Sequence, residues 1–261
     1  LKSNNQSELT KLILLSRYRS GSNLLLKGLQ QNKEIELLPE LFNHVFIHKN
    51  PEKYLDKNII EDLFSSNYNK KHVIGFKLIY DQATRIELAD DFFYPNIDNI
   101  YINYINKWLE NRRLSKDSFD HIWTSIKNDN SIKIIHLYRE NQLESYISFQ
   151  LAIIEGKWID KIYNLSNQIT IDKHRLEKWF ENGDQKRQHY KNIFYKHEIL
   201  DISYSELSNY YVKTISKCFQ FLECKVLKNA HPQIKKQNNQ KIVDIVENYF
   251  ELKEYFTNTR W

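Results

Sequence analysis

The residues best suited to chemistry lie early in the chain, in Ser16-Arg17-Tyr18-Arg19-Ser20-Gly21-Ser22-Asn23. Guanidinium groups, hydroxyls and a glycine at this density make a set of hydrogen-bond donors, which is what an oxyanion requires. Gly21 would let the backbone approach the anion closely, while Arg19, Ser20 and Ser22 would add donors beside main-chain N–H groups. A plainer reading is open for the same residues: Ser20 or Ser22 caps a helix, and Arg17 and Arg19 are solvated. The nucleoside-triphosphate loop G-x-x-x-x-G-K-[ST] is not present, since Gly21 has no glycine four to six residues before it and no lysine directly after it. That argues against an ATP or GTP enzyme of that type. Cys218 and Cys224 are six residues apart in an apolar stretch with Ile215, Phe219, Phe221 and Leu222. This is neither CxxC nor a metal-ligand spacing, so two buried, reduced thiols in a reducing compartment are expected, and no metal.

The elements around this loop follow from apolar periodicity. Leu9 to Leu15 (LTKLILL) is a short apolar run of strand length, and Asn23 to Gln31 has helical spacing at Leu24, Leu25 and Leu29. Strand, loop and helix thus succeed one another, and in α/β sheets ligands sit at the carboxyl ends of the strands. His72 to Tyr80 (HVIGFKLIY), Ile132 to Tyr138 (IKIIHLY) and Ile199 to Tyr204 (ILDISY) predict further strands. Helical patterns follow through Leu143, Ile147, Leu151 and Ile154, over Glu206 to Leu222, and over Lys241 to Phe256. Strands alternating with helices imply a mainly parallel sheet covered on both faces. Asn96 to Asn128 and Asp172 to His197 read as helical insertions or covering helices.

Composition narrows the function classes. The chain has 261 residues and is 41% hydrophobic, enough for a substantial core, and its 5 Gly and 4 Pro leave no linker at which to divide it. One domain over residues 1–261 is the expectation. A net charge of +5 is spread among 33 acidic residues rather than gathered in a stripe, so a small polyanionic ligand suits the chain better than nucleic acid. Its 17 Tyr and 14 Phe fall mostly at core spacing, which favours packing over base stacking. The apolar runs are far shorter than the roughly 20 residues of a membrane span, and no secretory signal pattern opens the chain. A cytoplasmic protein is expected, with a homodimer possible. Because no Met occurs, even at position 1, the sequence is expected to start inside the natural product.

At this point SRYRSGSNLL resembles the phosphosulfate loop of sulfotransferases that use 3′-phosphoadenosine-5′-phosphosulfate (PAPS), especially bacterial carbohydrate enzymes of the nodulation-factor and trehalose type. PELFN (Pro39 to Asn43), GFKLIYDQ (Gly75 to Gln82), LYRENQLESYISFQLA (Leu137 to Ala152), ISYSEL (Ile202 to Leu207) and IKKQNNQKIVDIVENYFELKEYF (Ile234 to Phe256) are similar to that family in the order expected. The resemblance implies a P-loop-like three-layer α/β fold, a PAPS donor, no metal, and a hydroxyl acceptor on a carbohydrate or glycolipid. It places Arg19, Ser20, Gly21, Ser22 and Asn23 on the 5′-phosphosulfate, and Arg139 and Ser148 on the 3′-phosphate. Arg139 leaves a strand and Ser148 lies nine residues on in a helix, an axial offset on the order of 10 Å that a guanidinium and a bound phosphate can bridge. The plain alternatives are an ion pair of Arg139 with Glu140 or Glu144, and an ordinary helix serine at 148. Lys235 and Lys236 match a segment whose lysine closes over the cofactor phosphates, and Lys236 is our candidate.

Sulfuryl transfer needs a base for the acceptor hydroxyl, positive charge at the leaving oxygen and in-line positioning. The resemblance assigns the base to Glu40 and the leaving-group charge to Arg19. A partly buried carboxylate at Glu40 is expected to titrate above its usual range. His44 and His48 are rivals, one and two turns beyond Glu40 if that stretch is helical, and Lys77 and Asp81 are weaker candidates for acceptor positioning. The family often has Gly before its catalytic Glu, whereas Leu38-Pro39 stands here. Two competing readings remain: an ATP- and magnesium-dependent phosphotransferase of similar architecture, and an adenosine-nucleotide binding module without catalysis.

Overall fold

The computed structural model describes residues 9–65, 71–80, 82, 107, 110–112, 119–158, 168–234, 240–257 and 259. Among these, β1 (Thr10–Ser16), β2 (Ile35–Glu40), β3 (Val73–Ile79), β4 (Ile132–Tyr138) and β5 (Ile199–Ser203) form one sheet in the order β2-β3-β1-β4-β5. All four pairings are parallel. β1 is central, and Leu12, Ile13, Leu14 and Leu15 are essentially inaccessible, so its apolar run is continuous because both of its faces are covered.

The helices are α1 (Ser22–Leu29), α2 (His44–Lys49), α3 (Ile59–Ser65), α4 (Asp120–Asn128), α5 (Gln142–Glu155) and α6 (Lys173–Ile193), followed by α7 (Tyr204–Asn209), α8 (Tyr211–Phe221), α9 (Ile242–Ile245) and α10 (Tyr249–Thr257). α1 and α8 cover one face, where Leu25, Leu29, Ile215 and Phe219 meet Leu12 and Leu14. α3, α4 and the end of α6 cover the other, where Phe64, Ile122, Ile126 and Tyr190 meet Ile13 and Leu15. A third cluster joins α5, α6 and α10 through Phe149, Trp179 and Phe256. The three-layer P-loop-like α/β architecture expected from the sequence is therefore present. Cys218 and Cys224 are free and buried, and burial pushes both thiols up.

Three readings change. Glu40 is not on a helix with His44 and His48 but ends β2, and α2 begins at His44 after a turn capped by the Asn43 side chain. Pro39 fits in β2 because β2 is an edge strand, where a missing N–H costs no ladder bond, and the register shifts between Leu38 and Glu40. The helix expected over Glu206 to Leu222 is broken at Tyr210 (φ −129°, ψ 45°) into α7 and α8. The terminal helix is likewise divided, with Ile169 bridged to Val246 between α9 and α10. Of the expected insertion over Asn96 to Asn128, most lies outside the described residues, and its end forms α4.

Gly75 decides how closely β1 and β3 approach. A Cβ there would lie 2.2 Å from the Leu12 carbonyl oxygen, a main-chain atom that cannot yield without parting the central strands. Gly75→Ala should destabilise by about 3 kcal/mol, within the upper range of overpacking penalties. Thermal unfolding should show a fall in Tm of roughly 6–12 °C for a chain of this size.

Candidate functional site

β1 delivers Ser16 to the carboxyl edge of the sheet, and the chain reaches α1 through a turn with two left-handed residues, Arg19 (φ 60°) and Gly21 (φ 89°). Such residues interleaved in a turn are how successive N–H groups converge on an anion. Only glycine suits position 21, since a Cβ would also meet Tyr204 Cδ2 at 2.6 Å. Gly21 precedes the first turn of α1, no side chain caps that turn, and no acidic residue lies in it. Ser20 is not a cap, because its hydroxyl donates to the Arg17 carbonyl at 2.7 Å. The positive end of an eight-residue helix thus faces the turn without a side-chain cap.

The two loop arginines part company. Arg17 turns inward: its Nη2 donates to the Trp179 carbonyl at 2.8 Å and its Nη1 to Gln142 Oε1 at 3.1 Å. Its guanidinium lies 3.8 Å from the Trp179 ring centroid, and Gly183 leaves room for it, since a Cβ there would sit 2.2 Å from Nη1. Burial, against attractions to Tyr80 and Asp184, lowers Arg17 to about 9. Arg17 therefore anchors the loop rather than serving as a solvated donor. Arg19 turns outward, with Nε donating to Ser148 Oγ at 3.0 Å and Nη1 to the Trp158 carbonyl at 2.9 Å.

Arg139 leaves β4 beside the same loop. Its Nη1 donates to the Arg19 carbonyl at 3.1 Å, its Nη2 is paired with Glu144, and its guanidinium packs 4.4 Å from the Tyr204 ring centroid. Ser148 is thus bonded to Arg19 rather than to Arg139, and the ion pair with Glu144 is one of the plain alternatives. Arg139 Nε and Ser16 Oγ are buried without a hydrogen-bond partner among the described residues. Orphaned buried donors at the rim of an uncapped helix are what a bound oxyanion would satisfy.

On the β3 side, the Lys77 ammonium is buried and joins two parts of the site. Its Nζ lies 2.6 Å from Glu40 Oε1 and is also hydrogen-bonded to Asn23 Oδ1 in the first turn of α1. Glu40 Oε2 accepts from Gln82 Nε2 at 2.6 Å and from Asn43 Nδ2 at 3.3 Å. Burial alone would raise the Glu40 carboxyl, but the Lys77 charge and the bonds from Lys77, Asn43 and Gln82 outweigh it and hold the group below its usual range. The expectation of an upward shift is corrected, because a buried ammonium in contact favours the carboxylate more than burial disfavours it.

The structure therefore brings Arg19, Ser20, Gly21, Ser22, Asn23, Arg139 and Ser148 around one turn, with Glu40 linked to it by Lys77. His48 lies in the last turn of α2. Lys235, Lys236 and Asp81 lie outside the described residues. Sequence reasoning missed Gln82 and Asn43, which hold the carboxylate, and Tyr204 and Trp179, which hold the arginines. For Gln82 a signal existed in its place at the end of the GFKLIYDQ run, while the others depend on pairings across the fold.

Two solved sulfotransferases are among the structures to which this chain is similar. That of Alicyclobacillus acidocaldarius is 12% identical with a TM-score of 0.49, over 94% of this chain and 90% of that one. Mouse sulfotransferase SULT7A1, solved with PAP, is 14% identical with a TM-score of 0.43, over 95% of this chain and 85% of that one. Among curated proteins, the epidermin biosynthesis protein EpiB of Staphylococcus epidermidis is 24% identical over 152 residues, 58% of this chain. The chain spans 14% of that protein's length. No protein-family model matches the chain.

The lowered Glu40 carboxyl fixes the sign of a pH effect. A group whose value is depressed by folding contributes stability fully above its ordinary value, 4.5 here, and loses it as pH falls through the folded value. Glu40→Gln should be less stable than the parent near neutral pH, where it leaves the Lys77 ammonium without its anion, and the gap should close as the pH falls below about 4.5. Denaturant unfolding of both proteins across the acid range measures it.

Proposed function

We propose that this chain is a PAPS-dependent sulfotransferase that transfers a sulfuryl group to a hydroxyl on a carbohydrate or glycolipid, in the manner of the nodulation-factor and trehalose type. The observation that carries this reading is Lys77, whose ammonium joins Asn23 of the anion turn to the Glu40 carboxylate. One hydrogen-bonded cluster thereby holds a site for a polyanion and a group able to take a proton. The ordered sequence motifs support the same reading.

In this scheme the residues divide as follows. Gly21, Ser20, Ser22, Asn23 and the start of α1 hold the 5′-phosphosulfate, and Arg19 stabilises the charge that develops on the departing bisphosphate. Arg139 and Ser148 hold the 3′-phosphate, with Arg139 Nε already in search of an acceptor. Lys236 closes over the phosphates. Glu40 accepts the proton of the acceptor hydroxyl as that oxygen forms its bond to sulfur and the bond from sulfur to the bridging phosphate oxygen breaks. A carboxylate held ionised is ready for that role at neutral pH, and it becomes a stronger base whenever Lys77 shifts its hydrogen bonds towards the leaving oxygen. The chain would act as one domain in the cytoplasm, without a metal. Among the described residues no helix is long and apolar enough to cross a membrane.

Two experiments test this reading. In a thermal shift assay, adenosine 3′,5′-bisphosphate at about 100 times its dissociation constant should add roughly 2.7 kcal/mol of stability. Stabilisation by ATP with magnesium but not by the bisphosphate would instead favour a phosphotransferase. In the second, transfer of labelled sulfate from PAPS to a panel of oligosaccharides should drop on the order of 10²–10⁴-fold in Glu40→Gln while bisphosphate affinity is retained. Undiminished turnover would move the base to another residue.

A further inference from the structure

A second polar constellation crosses the sheet on the face opposite α1, outside the anion site. His136, within β4, is 2% exposed, and its register partners are Leu15 on β1 and Asp201 on β5. Its Nδ1 lies 2.6 Å from Asp201 Oδ1, and its Nε2 is hydrogen-bonded to the Tyr80 phenol. Lys191 of α6 closes the outer end, with Nζ 2.8 Å from Asp201 Oδ2. The partners dictate the tautomer. The hydrogen bond from His136 holds the Asp201 carboxyl well below the usual range, so it accepts, and Nδ1 carries the proton. Burial pushes the Tyr80 phenol up, so Tyr80 keeps its proton and donates it to Nε2.

Position makes this chain more than a buried polar cluster. β3 and β4 are not neighbours, because β1 lies between them. The Tyr80 side chain therefore spans β1 at the level of Leu15, one residue before the strand ends at Ser16, to reach His136. The main chain of Tyr80 is fixed as well: its N–H donates to the Ser16 carbonyl at 3.0 Å, and its own carbonyl accepts from the Tyr190 phenol. The two rings stack with centroids 4.7 Å apart. Two residues on is Gln82, whose Nε2 holds Glu40 Oε2. Gln82 is steadied by the Ile79 N–H, which donates to its Oε1 at 3.2 Å, and by Trp123 Nε1, which donates to its carbonyl at 2.7 Å. Trp123 in turn lies against Tyr190, ring centroids 4.8 Å apart.

We infer that Tyr80, His136 and Asp201 form a positioning relay that straps β3 to β4 across β1 and, through Gln82, holds the Glu40 carboxylate in register with the anion turn. Apolar side chains of similar volume would fill this space without the cost of burying polar groups, but they would not fix its angle. Hydrogen bonds at both ring nitrogens set the rotation of His136 and with it the place of the Tyr80 phenol. The inference rests on the proposed function only where Glu40 is called the base.

The test reads Glu40 itself, by carboxyl-detected NMR titration of protein labelled with ¹³C at glutamate, with the Glu40 signal assigned by its loss in Glu40→Gln. In the parent protein Glu40 should titrate below the ordinary glutamate value. Tyr80→Phe removes one hydroxyl and should shift the Glu40 titration upward, in the direction given by Gln82→Leu, which removes the bond to Glu40 outright. Asp201→Asn, at a half-exposed edge position, should shift it the same way and serves if Tyr80→Phe does not fold. A Glu40 titration unmoved in the folded variants, with only Tm lowered, would overturn the inference and reduce the relay to core structure. That result would leave the proposed function standing, since bisphosphate stabilisation and Glu40→Gln turnover judge it separately.

Discussion

The site depends on one buried cation. Lys77 is 2% exposed, and an ammonium removed from water is tolerated only where anions and dipoles replace its hydration. Glu40 from β2 and Asn23 from α1 supply that replacement, so an edge strand, an inner strand and the first helix are bound together by a single charge. Neither partner is adjacent to Lys77 in sequence. Gly75, two residues earlier on the same strand, lets β3 lie close to β1, which also brings the end of β3 near the start of α1.

The turn between β1 and α1 obeys a complementary constraint. Two left-handed residues and an uncapped helix start cost conformational freedom and leave donors without acceptors, and Arg19 adopts a backbone conformation that few side chains prefer. The surrounding structure must hold such a turn in place. Arg17 does so by reaching into the cluster of Trp179 and Gln142, in a space that exists because residue 183 has no side chain. From the other side Tyr204 lies against Gly21 and Arg139 together. The loop is held between aromatic neighbours, the buried Trp179 and the half-buried Tyr204, and α6, which reads in sequence as an insertion or covering helix, is part of its support.

Much of this was legible in the sequence, for physical reasons that also explain the omissions. β1, β3 and β4 are continuous apolar runs because both faces of inner parallel strands are buried, and their bounds emerge within a residue or two. β2 was not legible: Ile35–Glu40 is a short edge strand containing Pro39 and ending in a carboxylate, so its pattern resembles a loop. The break at Tyr210 was hidden because α7 and α8 each keep helical spacing across it. The turn over Ser16 to Asn23 stood out as a local cluster of donors. The partners of Glu40 did not, because Lys77 and Gln82 lie about forty residues away and meet it only through strand order, and the same holds for His136 with Tyr80 and Asp201.

The Glu40 carboxyl shows why position alone could not fix its acidity. Burial is the largest single influence on it and acts upward, yet the charge of Lys77 and three side-chain donors together reverse the sign. A group poised by opposing influences is sensitive to the loss of any one of them. Draw the ammonium away and two of the downward influences go with it, so the carboxyl rises and its oxygen becomes a better proton acceptor. Remove Gln82 instead and a smaller downward influence is lost while the ion pair with Lys77 remains. The Lys77 ammonium supplies the charge that keeps the Glu40 carboxyl ionised, and the Asn43 and Gln82 amides both add to that effect and set where its oxygens point.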